Sequence, residues 1–305
     1  GDPAFLDLRR HDPAPPVREP HLALEQRRFP TYFVYPVGAL SSALSCRLLW
    51  TELGLVPPMI AHHLPAPLFA ALLVFGVTYF AARRIGTLGA LVAGFSLAFA
   101  PVFFGHAASN IKDTPECCLY TLAVLAGLRG LERGRARDWI PAGILVGLAL
   151  AQKPNALFLP VQLALFMALC VWRLPRADRP RLTWPALGWT TLGFLVAYYG
   201  ASPAFWHEPI DAPVRWIAWM LESGSYSFRA GFEARALRIS THAPGAVLAT
   251  TTLATLALAL VGAWLGRGAR MLQAFLLLGT LLPIVLNVLP GMRNFGGVRH
   301  FLEFL

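Results

Sequence analysis

The chain has 305 residues, 56% of them hydrophobic and 14% charged. A soluble domain carries about 25% charged residues, so the composition excludes an ordinary water-soluble globule. The alternating patterns of about ten residues that mark a membrane barrel are absent. The net charge of +10 is carried by sequence without the aromatic–basic interleaving of a base-stacking surface, so no nucleic-acid partner is expected. The expectation is an all-α polytopic membrane protein.

In chain order, residues 1–30 are polar and proline-rich and read as a loop. Residues 31–50 are open between two readings. Gly38, Ser41, Ser42 and Ser45 form a small-polar stripe at helical spacing. Such a stripe fits a helix lying on the membrane surface. It also fits a transmembrane helix packed through small residues. Apolar runs long enough for membrane crossing follow near 62–82, 87–104, 116–131, 139–152, 155–172, 184–201, 243–266 and 271–290, with another opening near 298. Arginines cluster between them at 83–84, 129–137, 173–181 and 267–270. Lys/Arg bias in short loops places these four on the cytoplasmic side. The loops near 105–115, 153–154, 202–242 and 291–297 then face the other way. In the longest of these, Val214, Ile217, Ala218 and Leu221 share a helical face, and Trp216 and Trp219 suit a headgroup-level anchor. The four cysteines lie in or beside apolar runs without metal-ligand spacing and read as packing residues. The chain opens at Gly1 and stops at Leu305 inside an apolar run, which reads as a fragment lacking its first span and its C-terminal region. The expected organisation is a first extracytoplasmic loop with an interfacial helix over 1–61 and a transmembrane domain over 62–305.

Three places could carry chemistry. The stretch GHAASNIKDTPE, 105–116, sets Lys112 and Asp113 side by side between apolar runs. Asp113 there is either a solvated capping residue or a carboxylate placed for catalysis at the membrane surface. His106 is a candidate substrate contact. Lys153 follows a run from Trp139 to Gln152 that is short for a crossing. At 1.5 Å per residue it rises about 21 Å against a core of about 30 Å, and Pro154 ends it. Lys153 should therefore stand below the far surface unless it snorkels out. The third place is RNFGGVRHF, 293–301, where Arg299 suits bidentate phosphate binding and His300 stands beside it. Cations beside a carboxylate near lipid point to a phosphate-bearing lipid.

The stretch AFAPVFFGHAASNIKDTPECCLYTLAV resembles the second extracytoplasmic loop and flanking helices of GT-C glycosyltransferases. It is most similar to the protein O-mannosyltransferase and aminoarabinose transferase-like group, in which P-x-F-F-G-H-A stands near N-x-K-D-x-P. GILVGLALAQKPNALFLP and GGVRHFLEFL resemble further segments of that group. The resemblance implies a multispan GT-C fold in a bacterial-type inner (plasma) membrane. It implies inverting transfer of a hexosyl or pentosyl group from a polyprenyl-phosphate donor to a lipid, glycan or protein acceptor outside the cytoplasm. It makes Asp113 one of two catalytic acids, with Asp2 ahead of Asp7 and Asp12 for the other. Lys153, Arg299 and Lys112 become donor-phosphate contacts, and His106 and His300 substrate contacts. No cofactor is required by this reading, and a divalent metal is compatible with it. Were residues 31–50 to span the membrane, 1–30 would be cytoplasmic and Asp2 could not serve. Two other classes share these features: a transporter or flippase for a phosphorylated lipid, and a non-catalytic assembly subunit of similar fold. The absence of paired, Gly/Pro-broken repeats favours the enzyme over the transporter.

Overall fold

A computed structural model describes residues 35–173, 183–216, 248, 251–265 and 270–288. Helix is the only regular structure among them. Proline opens most of the helices, where its missing N–H costs nothing and its fixed φ suits the first turn. In this way begin α1 (Pro36–Ser45), α2 (Pro58–His63), α3 (Pro65–Ala98) and α4 (Pro101–Ala107). Next come α5 (Asp113–Arg133), α6 (Ile140–Gln152), α7 (Phe158–Arg173) and α8 (Trp184–Gly200). The short α9 (Ala204–His207), α10 (Leu253–Leu265) and α11 (Arg270–Val288) complete the described helices.

The sequence boundaries near 82 and 87 are real. A continuous helical stretch from 58 to 98 is long and apolar enough to cross a membrane, the one such stretch among the described residues. It is interrupted at Gly86, whose φ of 80° and ψ of 178° are non-helical. Only glycine adopts that conformation without strain. Thr78 and Gly94, equidistant from Gly86 in sequence, pack together, and a methyl group on Gly94 would collide with Thr78 Oγ1. The helix therefore folds back on itself just after Arg83 and Arg84.

Of residues 31–50, the described part, from 35 on, turns back to the end of the bundle from which it starts. α1 runs on as a π-helix, Cys46–Glu52, and the chain then turns back into α2. Ser42 Oγ lies 2.6 Å from His62 Nδ1, and Cys46 Sγ approaches Pro58 O at 3.9 Å. Gly38 at the start of this hairpin bonds Gln152, while His63 at its end donates to Ser109 O at 2.8 Å. Entry and exit thus lie at the Asp113 end. This geometry favours the surface-helix reading over a spanning one.

The packing is inverted relative to a soluble protein. Small residues fill the interior, among them Ala66, Ala70, Ala90, Ala142, Ala149 and Ala151, each under a tenth exposed. Large apolar side chains point outward: Leu68, Leu72, Phe75 and Tyr79 form an exposed stripe down α3. In water such a surface would drive aggregation; in lipid it costs nothing, and small residues let helices approach closely. The extreme case is α6 against α8. A Cβ on Gly147 would stand 2.5 Å from Phe194 O, and one on Gly143 would collide with Thr190 O. GILVG, 143–147, is a small-x-x-x-small seam.

At the end remote from Asp113, Arg84 makes a two-pronged pair with Glu132 and lies 3.9 Å over the Phe80 ring. Arg133 and Asp138 pair nearby at 3.7 Å. The described Arg-rich turns at 83–84 and 129–137 thus share one end. Trp216 departs from expectation. It is buried against Tyr198, with ring centroids 6.4 Å apart, rather than set out as a surface anchor. The rest of that loop helix, with Trp219, lies outside the described residues.

Candidate active site

The N-x-K-D block is a helix cap built around Asn110. Its Oδ1 accepts the backbone N–H of Lys112 at 3.1 Å and of Asp113 at 2.8 Å. Its own carbonyl accepts from Thr114 N at 3.2 Å. These are an N-cap's bonds, satisfying amides that the first helical turn leaves without partners. The amide group of Asn110 does a second job. Nδ2 donates to Asp113 Oδ2 at 2.8 Å and lies 3.0 Å from His106 Nδ1. The cap therefore orients the carboxylate.

Lys153 comes to the same point from the other hairpin. α5 and α6 are antiparallel, joined through the 3-10 turn Ala136–Trp139. The end of α6 consequently returns to the start of α5. Lys153 leaves the helix in extended conformation, φ −160° and ψ 140°. Its Nζ lies 3.2 Å from Asp113 Oδ1, with side chains 5% and 2% exposed. The lysine lies inside the protein, its charge against Asp113 rather than in solvent. Asp113 Oδ2 thus accepts from Asn110, while Oδ1 faces the Lys153 ammonium as an ion pair.

Lys112 is half-buried, its Nζ 4.0 Å over the Tyr35 ring. That cation–π contact holds the ammonium beside the Asp113 turn without neutralising it. His106 is held to the same cap through Asn110. The structure therefore brings together four expected residues: Asp113, Lys153, Lys112 and His106. Asp2, Asp7, Asp12, Arg299 and His300 lie outside the described residues.

Three polar residues here were not singled out from sequence. Asn110 carries the cap. Gln152, 0% exposed, accepts from Gly38 N at 2.9 Å and donates to the carbonyls of Lys112 at 2.8 Å and Ile111 at 3.3 Å. Glu116 is also 0% exposed and stands one turn beyond Asp113 on the same face of α5. A lone glutamine or glutamate inside an otherwise apolar run was the available signal. Among the described residues no group of three His, Cys, Asp or Glu side chains could hold a metal ion. A cavity of about 500 Å³ lies elsewhere, between α3, α5 and α11. It is lined mainly by apolar side chains such as Leu73, Val77 and Leu276, and neither Asp113 nor Lys153 faces it.

Comparison with known proteins gives two likenesses. Residues 49–199, about half of the chain, match the family described as dolichyl-phosphate-mannose-protein mannosyltransferase. That stretch contains Asp113, Lys153, Lys112 and His106. Separately, 82 residues are 34% identical to transmembrane protein 14A of Bos taurus, covering 27% of this chain and 82% of that protein. The Homo sapiens protein of the same name is 32% identical over the same length and shares. Both likenesses are to membrane proteins and agree with the inverted packing: the chain is an integral membrane protein. The family's description implies a mannosyltransferase-like membrane glycosyltransferase.

Proposed function

We propose that this protein transfers a sugar, with inversion, from a polyprenyl-phosphate donor to an acceptor hydroxyl on the extracytoplasmic face of the membrane it spans several times. The observation that carries the reading is the buried Asp113–Lys153 pair, 3.2 Å apart where two hairpins meet. The Arg-rich turns lie at the opposite end, which by charge bias is the cytoplasmic one. The matched family supports the class of reaction.

The chemistry needs few groups. The bond from the anomeric carbon to the phosphate oxygen breaks, and its electron pair leaves on polyprenyl phosphate. The acceptor oxygen forms the new bond from the opposite face of the sugar. The acceptor's proton goes to the Asp113 carboxylate as general base. Lys153 keeps that carboxylate ionised. It also has three donors, so one ammonium can serve Asp113 and the donor phosphate together. Lys112, held at the Tyr35 ring, supplies further positive charge where leaving-group charge develops. Arg299 and His300, and Asp2 as a second acid, are proposed to complete the site from the segments that flank it.

The test is reconstitution in vesicles with a polyprenyl-phosphate sugar and a soluble acceptor. Polyprenyl phosphate and glycosylated product should appear in equal amounts. Asp113→Asn should lower the rate by about 100-fold or more, the scale of general-base contributions. Lipid crossing the bilayer with no glycosidic bond formed would make the protein a transporter.

A further inference from the structure

The structure assigns Gln152 as a positioning residue that fixes Asp113 against Lys153 by bonding the Gly38 N–H and the Ile111 carbonyl, which no helix satisfies, together with the Lys112 carbonyl. The assignment rests on the transfer reading above.

The need for such a residue begins with Pro115. It has no N–H, so the carbonyl four residues earlier, that of Ile111, has no helical donor. Gln152 Nε2 supplies one at 3.3 Å and also donates to Lys112 O at 2.8 Å. A second need arises where α1 begins at Pro36. Gly38 N–H belongs to the first turn, which has no intrahelical acceptors. Gln152 Oε1 accepts it at 2.9 Å. The contact depends on glycine, because a methyl group at 38 would collide with Ile111 O. Gln152 is 0% exposed, so water cannot substitute for any of these bonds.

One side chain therefore ties α1, the Asn110–Asp113 turn and the end of α6. Asp113 is next in sequence to Lys112, whose carbonyl is bound, and Lys153 is next to Gln152 itself. The register between base and ammonium is set through this clasp. A methionine would fill the same space but would leave the Ile111 carbonyl without a donor. Displacement of reacting groups by about 1 Å costs on the order of 100-fold in rate.

Gln152→Met and Gln152→Glu in the full chain test the assignment. The glutamate variant keeps the acceptor for Gly38 and loses the donor. In both, kcat for sugar transfer should fall about 10–100-fold; in Gln152→Met donor KM should stay within about threefold, since the charges that bind phosphate remain. Backbone amide exchange should rise in peptides covering 36–40 and 110–114 and not in the remaining helices. Pro115→Ala added to Gln152→Met should recover about tenfold of kcat, because the alanine N–H gives Ile111 O its helical donor. Wild-type kcat in both variants, a matching rise in KM for Gln152→Met, exchange spread over the whole bundle, or no recovery with Pro115→Ala would each overturn the assignment. Should the wild-type protein form no glycosidic bond, it is the transfer reading that fails. The exchange pattern would then still report whether Gln152 is the clasp.

Discussion

Removing one charge of the Asp113–Lys153 pair should cost far more than removing both. At 3.2 Å and an effective dielectric near 20, two unit charges attract by about 5 kcal/mol. Both side chains are almost wholly out of solvent, so water does not screen that attraction. Breaking a buried pair from one side leaves the other charge uncompensated and costs about 3–5 kcal/mol. Lys153→Met is such a change, as is Asp113→Asn. In Asp113→Asn/Lys153→Met neither charge remains, and the loss should shrink to about 1–2 kcal/mol. The coupling energy of the cycle should therefore be about 4 kcal/mol or more. Thermal unfolding of the detergent-solubilised protein reads it. Each single variant should lose on the order of 6–10 °C, and the double variant should regain most of it. Strictly additive losses would refute the reasoning, because the lysine would then be reaching out to the surface rather than in to Asp113.

Other expectations follow from the packing and the charge pattern. Gly147→Val should destabilise by about 2–3 kcal/mol, since its Cβ would stand 2.5 Å from Phe194 O. Gly188→Ala, with nothing within 4 Å of the added carbon, should stabilise by about 0.5–1 kcal/mol; equilibrium unfolding of the two variants checks the contrast. Glu132→Gln should cost only about 0.5–1 kcal/mol, and high salt should shrink the difference, because Glu132 is about half exposed. The four native cysteines are buried, so introduced ones can be read separately. Ser109→Cys should react with an impermeant maleimide added outside cells, and Arg135→Cys only after permeabilisation. The reverse pattern would put the site on the cytoplasmic face.

The parts of the fold that could be read from sequence were those set by local chemistry. Pro141 and Pro185 stand in the first turns of their helices, and the break after Arg84 falls at Gly86, whereas the apolar run read over 87–104 is split, ending at Ala98 and restarting at Pro101. The end of the short helix before Lys153 was legible from Pro154. The pairing of Lys153 with Asp113 was not, because it depends on the antiparallel return of α6 along α5, a tertiary fact. Gln152 was less visible still. Its three partners are backbone groups of Gly38, Ile111 and Lys112, and backbone groups leave no trace in side-chain patterns. The turn from α1 back into α2 rests on Ser42 meeting His62, a contact between residues twenty positions apart that either reading of the stripe allowed.

The hairpin of α1 and α2 also bears on how the protein enters its membrane. It leaves and rejoins the bundle at one end, so on the surface-helix reading it would contribute no crossing. Residue 35 and residue 65 must then share a side, whatever the hairpin's length or sequence. Arg83 and Arg84 are the charges that directly follow the first limb of α3. Removing the hairpin should leave every later segment facing as before, whereas neutralising those two arginines should make the orientation of the first limb indeterminate.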